Sequence, residues 1–320
     1  MRVEADAIVV GAGPAGSAAA ASLARAGLTA IVLAGGSPLG WIETVPASIA
    51  SLLPELGLPH AALRSVGAHC HWHGAGHPAL HIDRTEFDLL LRHAACHAGA
   101  RLCRSRAAGV IHESDRIVGV RTRCGQTLRA RMVVDASGSR TWLGRQLALR
   151  AQVLSPALIA WRGEADGIPE DMEDGAVRFQ PRSDGWLFLA TWRGRTTWTA
   201  IGRGRRRPDM TPLVALQRQA ASNVRWRLTR PVAGRGWLLA GEAAGRLDPA
   251  WGQGLVTAVV SGIAAGRTAA ACLADPARES VYLAAYDGWF ADRIHAAAAT
   301  LRKRYTDNRI NLAATGEGQQ

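Results

Sequence analysis

Residues 7–10 form an unbroken apolar run that closes at Gly11, the pattern of a strand buried on both faces. Residues 14–26 follow with alanines at a helical period, and Gly27 sits where a helix C-cap belongs. A second buried strand spans 29–33, so the chain opens with a β-α-β unit. A short helix is predicted at 47–53, between Pro46 and Pro54, and short strands at 68–73 and 79–82. The stretch "RTEFDLLLRHAACHAG", 84–99, is strongly helical, and three strands follow at 102–110, 116–123 and 127–134, with polar turns at "ESDR" and "CGQ".

From 157 to 202 the pattern shifts to short strands rich in Trp and Thr, which predicts an antiparallel sheet in a second layer. A helix is predicted at 210–226, a buried strand at 236–240, and two long helices at 254–273 and 280–305. The closing "NLAATGEGQQ" reads as a frayed tail. No internal repeat is visible. The apolar stretch 255–273 is interrupted by Ser261, Gly262, Gly266 and Arg267, the mark of a buried helix rather than a membrane span.

Composition narrows the class. The chain has 320 residues, 48% hydrophobic and 20% charged, which is globular and large enough for a sizeable core. Its formal net charge is +12, and of 38 basic residues only Lys303 is a lysine. An acidic partner would explain that excess, but the arginines are scattered rather than striped, which favours a plain compositional bias. The run "RGRRRP" at 203–208 lacks alternating aromatics and reads as a solvated loop, so no nucleic-acid partner is expected. Five cysteines, an odd count with no CxxC pair, fit reduced thiols. No signal-peptide pattern opens the chain, and a cytoplasmic protein without a membrane partner is expected.

"GAGPAG" places Gly11, Gly13 and Gly16 in GxGxxG spacing between strand and helix. The first glycine permits the tight turn, the second lets backbone approach a pyrophosphate, and the third allows close helix–strand packing. The helix N-terminus supplies amides and a positive dipole end for phosphates. One part is absent: the second strand should end in Asp or Glu to hold the adenosine ribose, and here the sequence reads "IVLAGG", with Ala34 at that position. No arginine directly follows the strand to suggest a 2′-phosphate.

Two later stretches accompany the fingerprint: "VVDASGSRT" after a strand, and "WLLAGEAAGRLDPAWGQGL", which reads strand, turn, then DPxxGxG opening a helix. In this order the three motifs resemble the FAD-dependent monooxygenases and their relatives, which include aromatic hydroxylases, geranylgeranyl-type reductases, flavin-dependent halogenases and the flavoproteins that mature quinone-cofactor amine oxidases. The resemblance runs from the N-terminus to about Leu273. The "WIETVP" stretch and the closing "LRKRY", ending in Arg and an aromatic, are most similar to the halogenase and maturase branch.

The resemblance implies an α/β fold: a Rossmann-type FAD-binding domain (1–65, 82–149 and 231–275), an inserted antiparallel β-sheet substrate domain (66–81 and 150–230), a C-terminal helix (276–310) and a flexible tail (311–320). It implies FAD as cofactor, with contacts from Gly11, Gly13, Pro14, Ala15, Gly16, Glu43, Arg84, Gly138, Gly241, Glu242, Asp248, Gly252, Gln253, Gly254 and Leu255. Glu242 stands where the family has Asp and would accept from the ribityl chain. The amides opening the Leu255 helix would face the flavin's pyrimidine edge. Arg84 would lie over the cofactor, or else pair with Glu86 or Asp88.

The activity so implied is O₂-dependent hydroxylation, through a flavin C4a-hydroperoxide, of an aromatic group. The substrate partner is an aromatic small molecule or a Trp side chain of a partner protein. A separate flavin reductase is the candidate electron donor, because "ASG" replaces the hydroxylases' "DG". Halogenation is disfavoured, since the only lysine lies near the C-terminus and WxWxIP is absent. Two rivals remain: a geranylgeranyl-type reductase, and a degenerate maturation factor without turnover.

"HCHWHGAGH" lies on the strand before the Arg84 helix, where it would line the cavity before the flavin. His69, His71 and His73 share one strand face. As a pocket wall, His71 and His73 are the candidate catalytic bases toward an indole N–H or a phenol. An exposed strand and a zinc site are the alternatives. Imidazoles about 6.8 Å apart per two-residue step diverge, so no metal is expected. Trp186 and Phe188 would sit on the facing sheet, as core or as an aromatic cradle.

Overall fold

The computed structural model describes residues 4–36, 40–63, 66–72, 75–202 and 216–311; of 66–72, 75–77 and 216–219 it describes the backbone alone. The largest sheet has eight strands. Its centre is the Ala5–Val10 strand, paired in parallel with Ala30–Leu33 on one side and Thr127–Asp135 on the other. Arg101–Cys103 and Trp237–Leu239 extend it in parallel outward. The hairpin Ala107–Glu113/Arg116–Thr122 joins through antiparallel pairing to Thr127–Asp135. Apolar strands such as "AIVL", buried at all four positions, require cover on both faces.

Five α-helices occur among the described residues: α1 (Pro14–Arg25), α2 (Arg84–His97), α3 (Trp142–Gln146), α4 (Gly254–Ala274) and α5 (Glu279–Asp307). Helix α4 is long and apolar, but its length is packed against α1 and α5 within the fold. The crossing with α1 is exceptionally close. A Cβ on Gly262 would fall 2.2 Å from the Ala15 carbonyl oxygen, and one on Gly266 2.7 Å from that of Ala19. Alanines on α1 and glycines on α4 therefore let the two backbones touch, which explains why both helices are built from small residues.

Among the described residues three antiparallel sheets accompany the eight-stranded one. The first joins Ile42–Pro46, Ala75–Asp83 and Val66–Trp72 in that order. The second has five strands in the order Val177–Arg182, Gly185–Trp192, Arg195–Gly202, Ile159–Asp166 and Leu216–Asn223. The third joins Arg150–Val153, Arg227–Arg230 and Gly245–Arg246. This is the α/β architecture with an inserted antiparallel sheet and a C-terminal helix that the motifs imply.

The five-stranded sheet sorts its side chains by alternation. Ala160, Trp186 and Ile201 pack with Trp226, Leu301 and Tyr305 beneath it, while Leu187, Leu189, Trp198 and Ala200 cluster on the opposite face. His81 ties the first sheet to this layer. Its Nε2–H donates to the Gly175 carbonyl (3.1 Å), so Nδ1 accepts from the Thr44 hydroxyl (3.0 Å). Burial holds its pKa below the ordinary value, and the ring stacks on Trp192 at 6.4 Å.

Three elements differ from the sequence expectation. The helix expected at 210–226 is, over Leu216–Asn223, an edge strand paired with Ile159–Asp166. Its "LQRQAASN" lacks the long apolar stripe that would hold a helix against the sheet, and strand pairing satisfies its backbone instead. The strand expected at 102–110 divides into Arg101–Cys103, in the parallel sheet, and Ala107–Glu113, in the hairpin. The strand Ile42–Pro46, hidden in sequence by its polar "ET", forms one wall of the cavity described next.

Gly262→Ala is expected to destabilise the protein by about 1–3 kcal/mol or more, because the added methyl would meet the Ala15 carbonyl and the Ala18 Cβ, neither of which can rotate away. Thermal melting followed by circular dichroism measures this; an unchanged midpoint would show that the α1–α4 contact is looser than described.

Candidate active site

A cavity of about 1310 Å³ runs from the C-terminal ends of the parallel strands to the five-stranded sheet. Two helix N-termini open onto it. Helix α1 begins after Gly13 and α4 after Gln253, and neither has a side-chain cap. Their first-turn amides are therefore available to a ligand, with the positive dipole end behind them.

The glycine fingerprint is a steric requirement here. Gly11 has φ +108, and a Cβ on it would lie 2.4 Å from the Ala136 carbonyl oxygen. A Cβ on Gly16 would lie 1.9 Å from the Gly11 carbonyl oxygen. The turn after Val10 thus nests between α1 and the "DASG" turn. Asp135, fully buried, fixes that second turn by accepting from the Ser137 and Leu143 amides, each at 2.8 Å. Burial pushes its carboxyl above the usual range. Gly138, at φ +65, lines the cavity beside it.

The "GEAAGRLDPAWGQG" segment forms the opposite wall. Gly241, at φ +61, donates its amide to Ser261 Oγ (2.9 Å) and lies against Ala15. Glu242 lines the cavity and pairs with Arg246 at 3.1 Å. Asp248 takes a different place from a free ligand group: its carboxylate is only 1% exposed and turned inward. Oδ2 accepts from Trp226 Nε1 and from Tyr305 Oη, both at 2.7 Å, and Oδ1 accepts from the Ala250 amide at 2.8 Å. Tyr305 Oη in turn accepts from Trp186 Nε1 at 2.8 Å. Burial raises Asp248 to about 6, despite these donors. Arg304 adds a hydrogen bond to the Ala250 carbonyl (3.3 Å) and lies over the Trp251 ring. The Arg–aromatic pair closing α5 thus braces the loop that carries Gly252, Gln253, Gly254 and Leu255.

Arg84 makes the expected ion pair with Asp88. It lines the cavity, and it is 9% exposed, with Nε and Nη2 on the two oxygens of Asp88 (3.0 and 3.2 Å) and Nη1 on Glu43 (3.0 Å). Burial opposes its charge, but the two carboxylates outweigh this and raise its pKa. Asp88 stays above its ordinary value because burial exceeds the pull of Arg84. Glu86 takes no part. Arg92, one further turn along α2, donates to the Ala12 carbonyl at 3.3 Å. The spacing 84, 88, 92 is the i, i+4, i+8 signal that marks all three as one helix face.

The far wall belongs to the five-stranded sheet. Arg162, Phe188, Thr197, Thr199, Ala220 and Ser222 line it, with Ile42, Pro78 and Ala79 across from them. Of the two aromatics expected on this sheet, Phe188 lines the cavity, whereas Trp186 is core. His71 lies on the Val66–Trp72 strand opposite Gly76, next to the strand carrying Pro78 and Ala79. His73 and the side chain of His71 lie outside the described residues. Among the described residues no cluster of three His, Cys, Asp or Glu could hold a metal ion.

A family model for tryptophan halogenases matches residues 71–188. Over 320 aligned residues the chain is 31% identical to a menaquinone reductase of Mycobacterium tuberculosis, covering 84% of this chain and 76% of that protein. The chain belongs to the FAD-dependent monooxygenase superfamily. The flavoprotein's fold matches the flavin-dependent brominase Bmp2 with a TM-score of 0.83 at 19% identity, over 95% of this chain and 88% of that one. It matches the peptidyl tryptophan dihydroxylase QhpG with a TM-score of 0.74 at 23% identity, over 96% and 75%. FAD is the cofactor of this flavoprotein. The cavity fits it: bare glycine backbone for a pyrophosphate and two uncapped helix ends for the negative charge of phosphates and reduced ring.

Two outcomes test this site. Arg84→Gln should cost about 3–5 kcal/mol in urea unfolding, since it leaves Asp88 buried without its cation, and adding Asp88→Asn should recover much of the loss. Asp248 has a folded-state pKa above its ordinary 3.8, so its contribution to stability is complete below 3.8 and is lost as pH rises through about 6. Asp248→Asn should remove that slope between pH 4 and 6 in melting temperature, and should cost about 1–3 kcal/mol through the donors it leaves unpaired.

Proposed function

We propose that this flavoprotein is a monooxygenase that hydroxylates an aromatic group, on a small molecule or on a tryptophan of a partner protein. The observation that carries the reading is the shape of the substrate end. Beyond Phe188 the inner face of the five-stranded sheet is filled by Trp186, Trp226 and Tyr305, joined through Asp248. We take this packed wall, among the described residues, to favour a compact ring over a long chain along that face.

FAD, when bound, supplies two-electron redox chemistry and, once reduced, reaction with O₂. The protein's own groups do the rest. Phe188, against Ile42 and Pro78, offers an apolar slot for a ring. Arg162 shares the face of Ala160, and it and Thr199, cross-strand neighbours, offer donors that fix the orientation of a polar substituent. The uncapped α4 end steadies negative charge that develops nearby. His71 and His73 are proposed to take the proton from an indole N–H or phenol. The similarities to the tryptophan halogenase model and to the peptidyl tryptophan dihydroxylase accord with an aromatic substrate.

The sequence similarity to the menaquinone reductase favours a second reading, reduction of an apolar substrate without productive use of O₂. One experiment separates the two. The photoreduced holoprotein is mixed with isotopically heavy O₂ and phenol, tryptophan or a tryptophan-containing peptide. Label in the ring product is expected. Rapid anaerobic reoxidation by menadione, with no labelled ring product from any of the three, would move the assignment to a reductase.

A further inference from the structure

The adenosine end of the groove lies beyond the Ala30–Leu33 strand, where a dinucleotide fold places a carboxylate to accept from the ribose hydroxyls. Ala34 and Gly35 occupy that strand end here. The four carboxylates lining the cavity are all engaged elsewhere: Glu43 and Asp88 on Arg84, Glu242 on Arg246, and Asp248 on Trp226 and Tyr305. Among the described residues none of the cavity's carboxylates is left to serve the ribose.

The same end is lined instead by Ser105, Arg106 and Arg123. They come from two segments remote in sequence, which is why no arginine shows directly after the strand. The Ala34 amide donates to the Cys103 carbonyl (2.9 Å), which brings the segment after Arg101–Cys103 alongside. The Arg123 amide donates to the Arg106 carbonyl (2.8 Å) and brings in the second. Gly35 is the seat for Arg106. A Cβ there would lie 2.0 Å from Arg106 Cγ, so the arginine stem rests on bare backbone, and Nε donates to the Gly35 carbonyl at 2.5 Å. With stem and Nε fixed, the two terminal guanidinium nitrogens are without a partner among the described residues, and Arg106 lines the groove.

We propose that Arg106, with Arg123 beside it, takes the place of the absent carboxylate as the adenosine-binding group of the FAD site. The recognition is inverted in polarity. A carboxylate accepts from ribose hydroxyls, whereas a guanidinium donates to their oxygens and presents a cationic plane to the adenine face. Both interactions are open to Arg106 because its stem is pinned flat across Gly35. The inference rests on FAD occupying this groove.

The test titrates the full chain, stripped of flavin, with FAD and separately with FMN, which lacks the adenosine half. Flavin fluorescence quenching reads the Kd. Arg106→Ala should raise the Kd for FAD about 10-fold and leave that for FMN within about twofold. Adding Ala34→Glu to Arg106→Ala should restore FAD binding, since it returns the carboxylate to the strand end. An FAD Kd unmoved by Arg106→Ala, or FAD and FMN weakened equally, would overturn the proposal. So would a wild-type chain that prefers NADP⁺ to FAD, with that preference lost in Arg106→Ala, because the arginines would then serve a phosphorylated ribose. A wild-type chain that binds neither flavin would overturn the FAD site itself, a distinct failure.

Discussion

The contact on which the rest depends is backbone against backbone: α1 pressed into the turn after Val10 on one side and onto α4 on the other. Gly16 meets the Gly11 carbonyl, and Gly262 meets that of Ala15, so a single methyl group at either position would collide with peptide atoms. Side chains can rearrange around a misfit, but peptide planes in two packed elements cannot. This fixes the angle at which the N-termini of α1 and α4 face one cavity. The two positive helix ends, rather than any one side chain, give the cavity its attraction for a long anionic ligand. The loop at Gly241 and the turn at Gly138 then take their positions from that pair of helices.

Much of this was legible in sequence because glycine spacing records close approach directly. GAGPAG, the ASG turn and the DPxxGxG segment each name a place where a Cβ is excluded, and they specify the Rossmann-type half almost without reference to the rest. The antiparallel sheet was legible as alternating Trp and Thr. What escaped was of two kinds. Leu216–Asn223 carries too few apolar residues to declare a strand; only its pairing with Ile159–Asp166 makes it one. The roles of Asp248 and Arg106 depend on partners far away in the chain, and no spacing rule reaches across such separations. The Arg84–Asp88 pair was readable as one of the options in sequence, but the second carboxylate on Arg84 is Glu43, on a different strand.

Charge in this molecule is organised around a simple economy of carboxylates. The wall of the cavity is rich in arginine, and each acid that faces it is tied to a donor that also shapes backbone: Glu43 and Asp88 hold α2, Glu242 holds the Arg246 turn, Asp248 holds the loop before α4. Arg84, Arg92, Arg246 and Arg304 are engaged by these acids and by backbone carbonyls, whereas the terminal nitrogens of Arg106 have no partner among the described residues. That distribution agrees with a cofactor carrying a pyrophosphate, and it gives the chain's arginine excess a local use beyond composition.

The bracing of the Asp248 loop by Arg304 and Tyr305 makes one end of the cavity depend on the far end of α5. Without those residues Trp186 loses its hydroxyl acceptor and Asp248 one of its donors, and the loop that opens α4 keeps only its local contacts and the Trp226 bond. The glycine cradle at α1 makes no such demand, because it is held by backbone approach among Gly11, Gly16 and Ala136. The two ends of the cavity can therefore fail independently: damage to the closing turn of α5 would loosen the wall at the α4 N-terminus while the turn after Val10 kept its shape.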